Sequence, residues 1–506
     1  MGSAADISCC PFQTRRHDLT ISNQEPQSFS VSPGRRDVVW RQLVAYSAMV
    51  IIGVGAWAIL VVAAADTRLV MMPVLAVLWV FGTFALVLYF HDDQTPIFHA
   101  GFFAAATALV YIALPAVFLA ASGFEWSSTS DRRLVLLRAG PEDVANYVWR
   151  GALYLTGFCA TYILMVRRLA RPPRISPIRV VELDAAVCAV IIVACVLYQA
   201  AVEFAFAISI SDKDTPFPAD GINPNLPLLA AQVTHNVMAV QRIAKLALIV
   251  ALVALWKRNW AKLALIIFLL SELISTLALF GPRTYFAALL LATLLSFHKM
   301  VRPVSVPVLG ACAVLFLGLL LAYGDIRSYG GKAFDFSTAN EFQTLMGTAL
   351  HVRDMVQSGL KVPAQVIWSE VLMLIPQQLL PIQKIDPSLW YLIESGFSES
   401  GSGYMFGVQS QAEVGWGNPE LLLRGVVLAV VLGFLHRQYS RHSASFLPTV
   451  CYVWLLTAVY YSYRAATFYW VTFIAFRLLV FVGIFLVLRR LLLRPAVNAG
   501  FNDVVT

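Results

Sequence analysis

Three arginines stand where a cation is expensive to place. Arg283 lies in Gly281-Pro282-Arg283-Thr284, Arg327 in Gly324-Asp325-Ile326-Arg327-Ser328, and Arg464 in Tyr461-Ser462-Tyr463-Arg464, each beside an apolar run. A guanidinium keeps its charge at any working pH and grips phosphate oxygens with paired hydrogen bonds, so three together could hold a diphosphate. Each could also be an anchor reaching out to lipid headgroups. For Arg283 and Arg464 the very tight turn between apolar segments favours a ligand, because a charge there is costly without a partner.

Acid–base chemistry has its own candidates. Glu413, in Ser410-Gln411-Ala412-Glu413, could take a proton from a hydroxyl, or it could close a capping box begun by Ser410; the two roles are compatible. Glu341 reads more simply as a cap in Thr338-Ala339-Asn340-Glu341. His351 and Arg353, close together on one helix, could act as base and phosphate ligand, or be solvated surface residues. Trp390, Tyr404 and Trp416 offer ring faces on which sugars stack, and aromatic residues at such positions are also ordinary interface anchors.

The elements that must position these residues follow from composition. The chain is 59% hydrophobic and 13% charged, with many apolar stretches of bilayer-spanning length. They lack the alternation of a membrane barrel, so the predicted class is all-α: a polytopic transmembrane helical bundle. About twelve spans are expected, near 43–65, 69–90, 98–121, 146–167, 180–208, 229–256, 260–280, 284–298, 303–323, 420–436, 446–462 and 466–489. Residues 1–42 read as a disordered tail, 43–323 as the first nine spans, 324–419 as a large folded loop domain, 420–490 as the last three spans and 491–506 as a second tail.

Arginine and lysine collect in alternate loops, such as Arg167 to Arg179, Lys257 to Lys262 and Arg489 to Arg494. By the positive-inside rule these loops and both termini are cytoplasmic, so Arg283, Arg327, Arg464 and the long insertion face outward. The net charge of +8 is accounted for by those loops and points to anionic lipid headgroups, with no nucleic acid as partner. Within the insertion, Thr338 to Glu341 opens a helical stripe of Phe342, Leu345, Met346, Ala349, Val352 and Val356. Val366 to Ile375, ending at Pro376, suggests a helix on or dipping into the interface, and Gly396 to Gly417 reads either as a substrate-contacting loop or as a connector.

The seven cysteines avoid the outward loops, and five of them fall inside spans as small apolar residues, so no disulfide is expected. No metal cluster, phosphate-binding glycine loop or other cofactor motif is present in the sequence, and there is no inverted repeat with paired broken helices. Asp184, Glu203 and Glu272 lie inside spans and need partners such as Arg242 or Lys245. They read as internal ion pairs before they read as a site.

Gly281-Pro282-Arg283-Thr284-Tyr285-Phe286, the loop ending Ser410-Gln411-Ala412-Glu413-Val414-Gly415-Trp416-Gly417-Asn418, and Tyr463-Arg464 before the final span together resemble bacterial O-antigen polymerases over roughly 260–490. The resemblance implies a membrane glycosyltransferase of the bacterial inner membrane. It would join lipid-linked oligosaccharide repeat units at the periplasmic face, using undecaprenyl-pyrophosphate-linked glycans and no metal. Arg283, Arg327 and Arg464 match the diphosphate-binding arginines in position, Glu413 matches the acid of the pre-span loop, and Tyr463 lies beside Arg464 at the site. Membrane lipids and a chain-length regulator are the implied partners. Two other readings stay open: a similar ligase, for which no clear histidine stands late in the loop, and a transporter or flippase of lipid-linked glycans, with Glu203, Arg242, Lys245 and Glu272 lining its route. A different lipid-carrier glycosyltransferase would carry an acidic pair in its first outward loop, where Asp66-Thr67-Arg68 offers one acid.

Overall fold

A computed structural model describes residue 53 and residues 65–91, 99–124, 137, 139–166, 181–206, 228–278, 283–302, 304, 340–373, 375, 379–396, 406–442, 446–464 and 477–502. Arg327, Tyr404, the expected tail 1–42 and the ninth expected span lie outside the described residues, as does nearly all of the first.

Most of the described residues are helical, and none of them is in a strand. The apolar runs close their backbone hydrogen bonds internally as α1 (Ala65–His91), α2 (Ala100–Ala121), α3 (Pro141–Val166), α4 (Val181–Phe206), α5 (Leu228–Ala254), α6 (Asn259–Ala278) and α7 (Arg283–Met300). The polar insertion contributes α8 (Asn340–Gln357), the short α9 (Ala364–Ile367) and α10 (Ser369–Met373), then α11 (Pro387–Glu394) and α12 (Val408–Val414). The chain ends with α13 (Asn418–His442), α14 (Phe446–Ala458), the single turn α15 (Tyr461–Arg464) and α16 (Leu479–Asn502). Local chemistry sets several starts: Asp386 caps α11 by accepting from Ser388 N at 2.7 Å with Pro387 in the first turn, and Glu142 and Asp143 face the positive end of α3.

Among the described residues, five helices are long and apolar enough to cross a membrane: Ala65–Leu88, Ala100–Ala121, Val181–Phe206, Asn236–Ala254 and Asn418–Arg441. Ala288–Met300 and Phe446–Ala458 are shorter apolar helices. Helices α3 and α6 occupy the sites of two further expected spans, whereas α16 overlaps the last one only over 479–489 and continues through Asn502, into residues expected to form a tail. One side of α6 exposes Leu263, Ile267, Leu270 and Ile274 at helical spacing, a face suited to lipid.

Two apolar cores fill the bundle. The first joins α1, α2 and α3 to α13 and reaches α8, α12 and α15; the second joins α4, α5, α6, α7 and α16. Helix α14 serves both, giving Tyr452, Leu455 and Leu456 to the first and Phe446, Val450, Val453 and Trp454 to the second. The α3–α13 contact is close because it is made across glycines. A Cβ on Gly425 would stand 2.4 Å from Tyr154 O, and one on Gly433 would stand 2.7 Å from Met165 Cβ.

The insertion folds on its own small core of Val352, Val366, Trp390, Tyr391, Phe406 and Val414. Of its expected stripe, Leu345, Met346, Ala349 and Val352 are buried on α8 and Val356 is half-buried. The expected helix over Val366 to Ile375 is instead two short helices meeting at Trp368. The buried charges also pair differently from expectation. Lys245 Nζ does meet Glu272 Oε1 at 2.7 Å, whereas Asp184 pairs with Arg489 of α16 at 2.9 Å and not with Arg242 or Lys245. The reason is that α16 packs directly on α4, which brings Arg489 to the first turn of that helix.

Candidate functional site

A polar cluster forms where α8, α12 and α15 meet the N-terminal half of α3. Its centre is the ion pair of Arg150 Nη1 with Glu413 Oε1, whose side chains are only 10% and 12% exposed. Arg150 projects from the second turn and a half of α3, and Glu413 from the last turn of α12. Beside them Arg353 of α8 pairs with Asp143 at 2.5 Å, and Asp143 also accepts from Gly140 N at 2.9 Å. Burial pushes the Glu413 carboxyl above the ordinary carboxylate range, against the pull of Arg150 and, more weakly, of Arg353. A buried acid with a raised pKa between two cations is a common arrangement for proton transfer, and structural ion pairs share it.

The capping-box reading of Glu413 is overturned. Helix α12 begins after Gly407 with no side-chain cap, so Ser410 lies inside the helix and Glu413 falls near its other end. Ser410 Oγ and the Nε and Nη2 atoms of Arg150 are buried with no hydrogen-bond partner in the structure. Arg150 was missed in the sequence because it lies within an apolar stretch already explained as a span. The available signal was the charge itself, which is rarely tolerated at such a position without a partner.

A group of hydrogen-bonded tyrosines lies between α12 and Arg464. Gln409 Nε2, one helical turn before Glu413, donates to Tyr463 Oη at 2.7 Å and to the Tyr147 carbonyl at 3.2 Å. Tyr147 Oη donates to the Tyr111 carbonyl at 3.0 Å, and the Tyr111 and Tyr460 hydroxyls share a hydrogen bond at 2.8 Å. Arg464 Nη1 donates to Tyr460 Oη at 2.9 Å while its guanidinium stands 5.3 Å from the centre of that ring. The backbones meet closely at Gly407, where a Cβ would lie 3.0 Å from Tyr463 O and 2.6 Å from Leu345 Cδ1. Only glycine lets α12 and α15 approach this far.

The remaining sequence candidates divide by position. His351 Nδ1 shares a hydrogen bond with Tyr391 Oη at 2.9 Å on the face of α8 that meets α11. Trp390 is not an open stacking platform: it is 5% exposed and packed edge-on against Phe406. It is held there because Val352, Val366 and Phe406 need an apolar partner to close the small core. Trp416 is exposed and lies edge-on to Trp368, in the turn that leads into α13. Arg283 opens helix α7. A second ionic group ties the insertion to α13, with Arg424 bonded to both Glu370 of α10 and Glu420.

The structure thus draws Glu413, Arg353 and Tyr463 into one cluster, adds Arg150, Gln409 and Tyr147, and places Arg464 against Tyr460 of the adjoining tyrosine group. Among the described residues, no group of three or more His, Cys, Asp or Glu could hold a metal ion. Comparison of the chain with family models, with curated proteins and with solved structures finds no match.

Proposed function

We propose that the chain is a membrane glycosyltransferase that polymerises lipid-linked oligosaccharide repeat units. In this reading the bundle crosses the bacterial inner membrane about twelve times with both termini cytoplasmic, and the cluster lies at the periplasmic end under the insertion. The observation that carries the proposal is the Glu413 carboxyl, buried yet paired with Arg150 and influenced by Arg353. An acid in that setting suits deprotonation of an alcohol in a site screened from water.

The reaction balances simply. Glu413 takes the proton of an acceptor hydroxyl, the acceptor oxygen bonds to the anomeric carbon of the donor, and the bond from that carbon to the diphosphate breaks. Undecaprenyl pyrophosphate leaves with the electron pair, stabilised by Arg464 together with Arg283 and Arg327. The unpartnered Nε and Nη2 donors of Arg150 give a substrate oxygen a partner beside the base, and Arg150 Nη1 orients the carboxylate. Bond energy in the sugar diphosphate drives the transfer.

Purified protein in detergent, given two lipid-linked repeats, is expected to yield a lipid-linked dimer, and cells lacking the protein are expected to show one repeat per anchor on a surface-polysaccharide gel. Arg464→Ala and Arg464→Lys should abolish lengthening while the protein still inserts. Normal long chains in either variant would remove Arg464 from the site, and failure of the purified protein to join repeats would favour transport.

A further inference from the structure

The segment that joins α9 to α11 is apolar on the side its own fold leaves uncovered. Its inner side is occupied: Val366 and Ser369 are buried, and the Val366 carbonyl accepts from Gln411 Nε2 of α12 at 3.2 Å. On its outer side Trp368, Val371 and Leu379 are 51%, 52% and 73% exposed, and Trp416, at 63%, lies edge-on to Trp368 with ring centres 6.4 Å apart.

This surface does not end at the insertion. Arg424 of α13 binds Glu370, the neighbour of Val371, and Glu420, whose carboxylate also accepts from Trp416 N at 2.7 Å. Val427, one turn after both Leu423 and Arg424, is half exposed at 48%, and Leu423 is 50% exposed. Helix α13 is long and apolar enough to cross a membrane, and the segment with its exposed apolar residues is tied to the first turns of that helix. The ionic group of Arg424, Glu370 and Glu420 holds the two parts together.

We propose that the described residues of 364–382 lie in the bilayer, with Trp368 and Trp416 at headgroup depth and Val371 and Leu379 against acyl chains. The partner is lipid, for two reasons. The segment is bound to a helix of membrane-spanning length that carries exposed apolar residues of its own, and paired tryptophans with apolar ring bodies and N–H donors suit the boundary between chains and headgroups. A second protein, or a second copy of this chain, would have to cover the side of α13 as well. The segment is then a membrane-seated flap bolted to α13, and the Gln411–Val366 hydrogen bond connects it directly to the helix that carries Glu413. This placement is independent of the reaction the site performs.

Spin labels read the placement directly in the full chain reconstituted in lipid vesicles, with the seven native cysteines replaced. Val371→Cys and Leu379→Cys carry the label, Leu270→Cys marks the lipid-suited face of α6, and Asp354→Cys marks an exposed polar site. At 371 and 379, collisions with dissolved oxygen should exceed those with a water-soluble nickel chelate, as at 270, and the order should reverse at 354. Nickel access at 371 and 379 equal to that at 354 would place the surface in water and overturn the proposal. Exclusion of both reagents would assign it to a protein partner and overturn it equally. A photoreactive benzoylphenylalanine at 371, in a chain that keeps its cysteines, gives a second reading: lipid adducts support the placement, and protein adducts alone reject it.

Discussion

At the scale of single residues the Arg150–Glu413 pair dominates, because neither charge is stable there alone. Arg150→Ala leaves a buried acid without its cation, for which a loss of about 3–5 kcal/mol is typical. Thermal unfolding in detergent at neutral pH should register that loss, and it should shrink in acid, where Glu413 can take up a proton and become neutral. The pH dependence has a definite sign. Burial places the folded Glu413 carboxyl above its unfolded value, so its contribution to stability is fully present below the unfolded pKa and disappears as pH rises through the folded one. Activity should move oppositely, rising across the same window as the carboxylate base forms, and Glu413→Gln should flatten both profiles. A rate that is unchanged in Glu413→Gln would assign the proton to another group. Glu413 could be singled out in the sequence as an acid in a loop before a span, but its partner could not. Arg150 is more than two hundred and sixty positions away, and no local pattern connects them.

At the scale of elements the α3–α13 contact decides whether the site can form, since α3 carries Arg150 and α13 follows directly on the helix of Glu413. Gly425→Ala would drive a methyl into the Tyr154 carbonyl, a backbone atom that moves only if the two helices part. Overpacking of this kind costs about 1–3 kcal/mol, and the unfolding temperature should fall accordingly. Gly483→Ala on α16, where an added Cβ meets nothing within 4 Å, is the matched control and should be close to neutral. The helices themselves were legible, because runs of bilayer length and the stripe from Leu345 to Val352 follow from periodicity alone. The break at Trp368 was not legible: its two flanking halves are each apolar, and only the hydrogen bond from Gln411 to the Val366 carbonyl shows which one is tied to α12.

At the scale of the whole molecule, α14, together with α7, joins two cores into one bundle. Because Tyr452 and Leu456 serve one core while Val453 and Trp454 serve the other, the described helices should unfold in detergent as one cooperative transition. Two separated transitions, seen by circular dichroism and calorimetry together, would show that α14 does not couple them. By itself the sequence determined an all-helical chain with membrane-length apolar runs and a folded insertion, because backbone groups in an apolar medium must be satisfied within each segment. Tertiary structure alone decided the partners: Arg150 for Glu413, Arg489 for Asp184, Phe406 for Trp390, and Tyr111 for the Tyr460 that holds Arg464. Helix formation depends on neighbours three and four positions away, whereas ion pairs and ring contacts depend on which helix faces come together, and that is settled only by the packing of the entire chain.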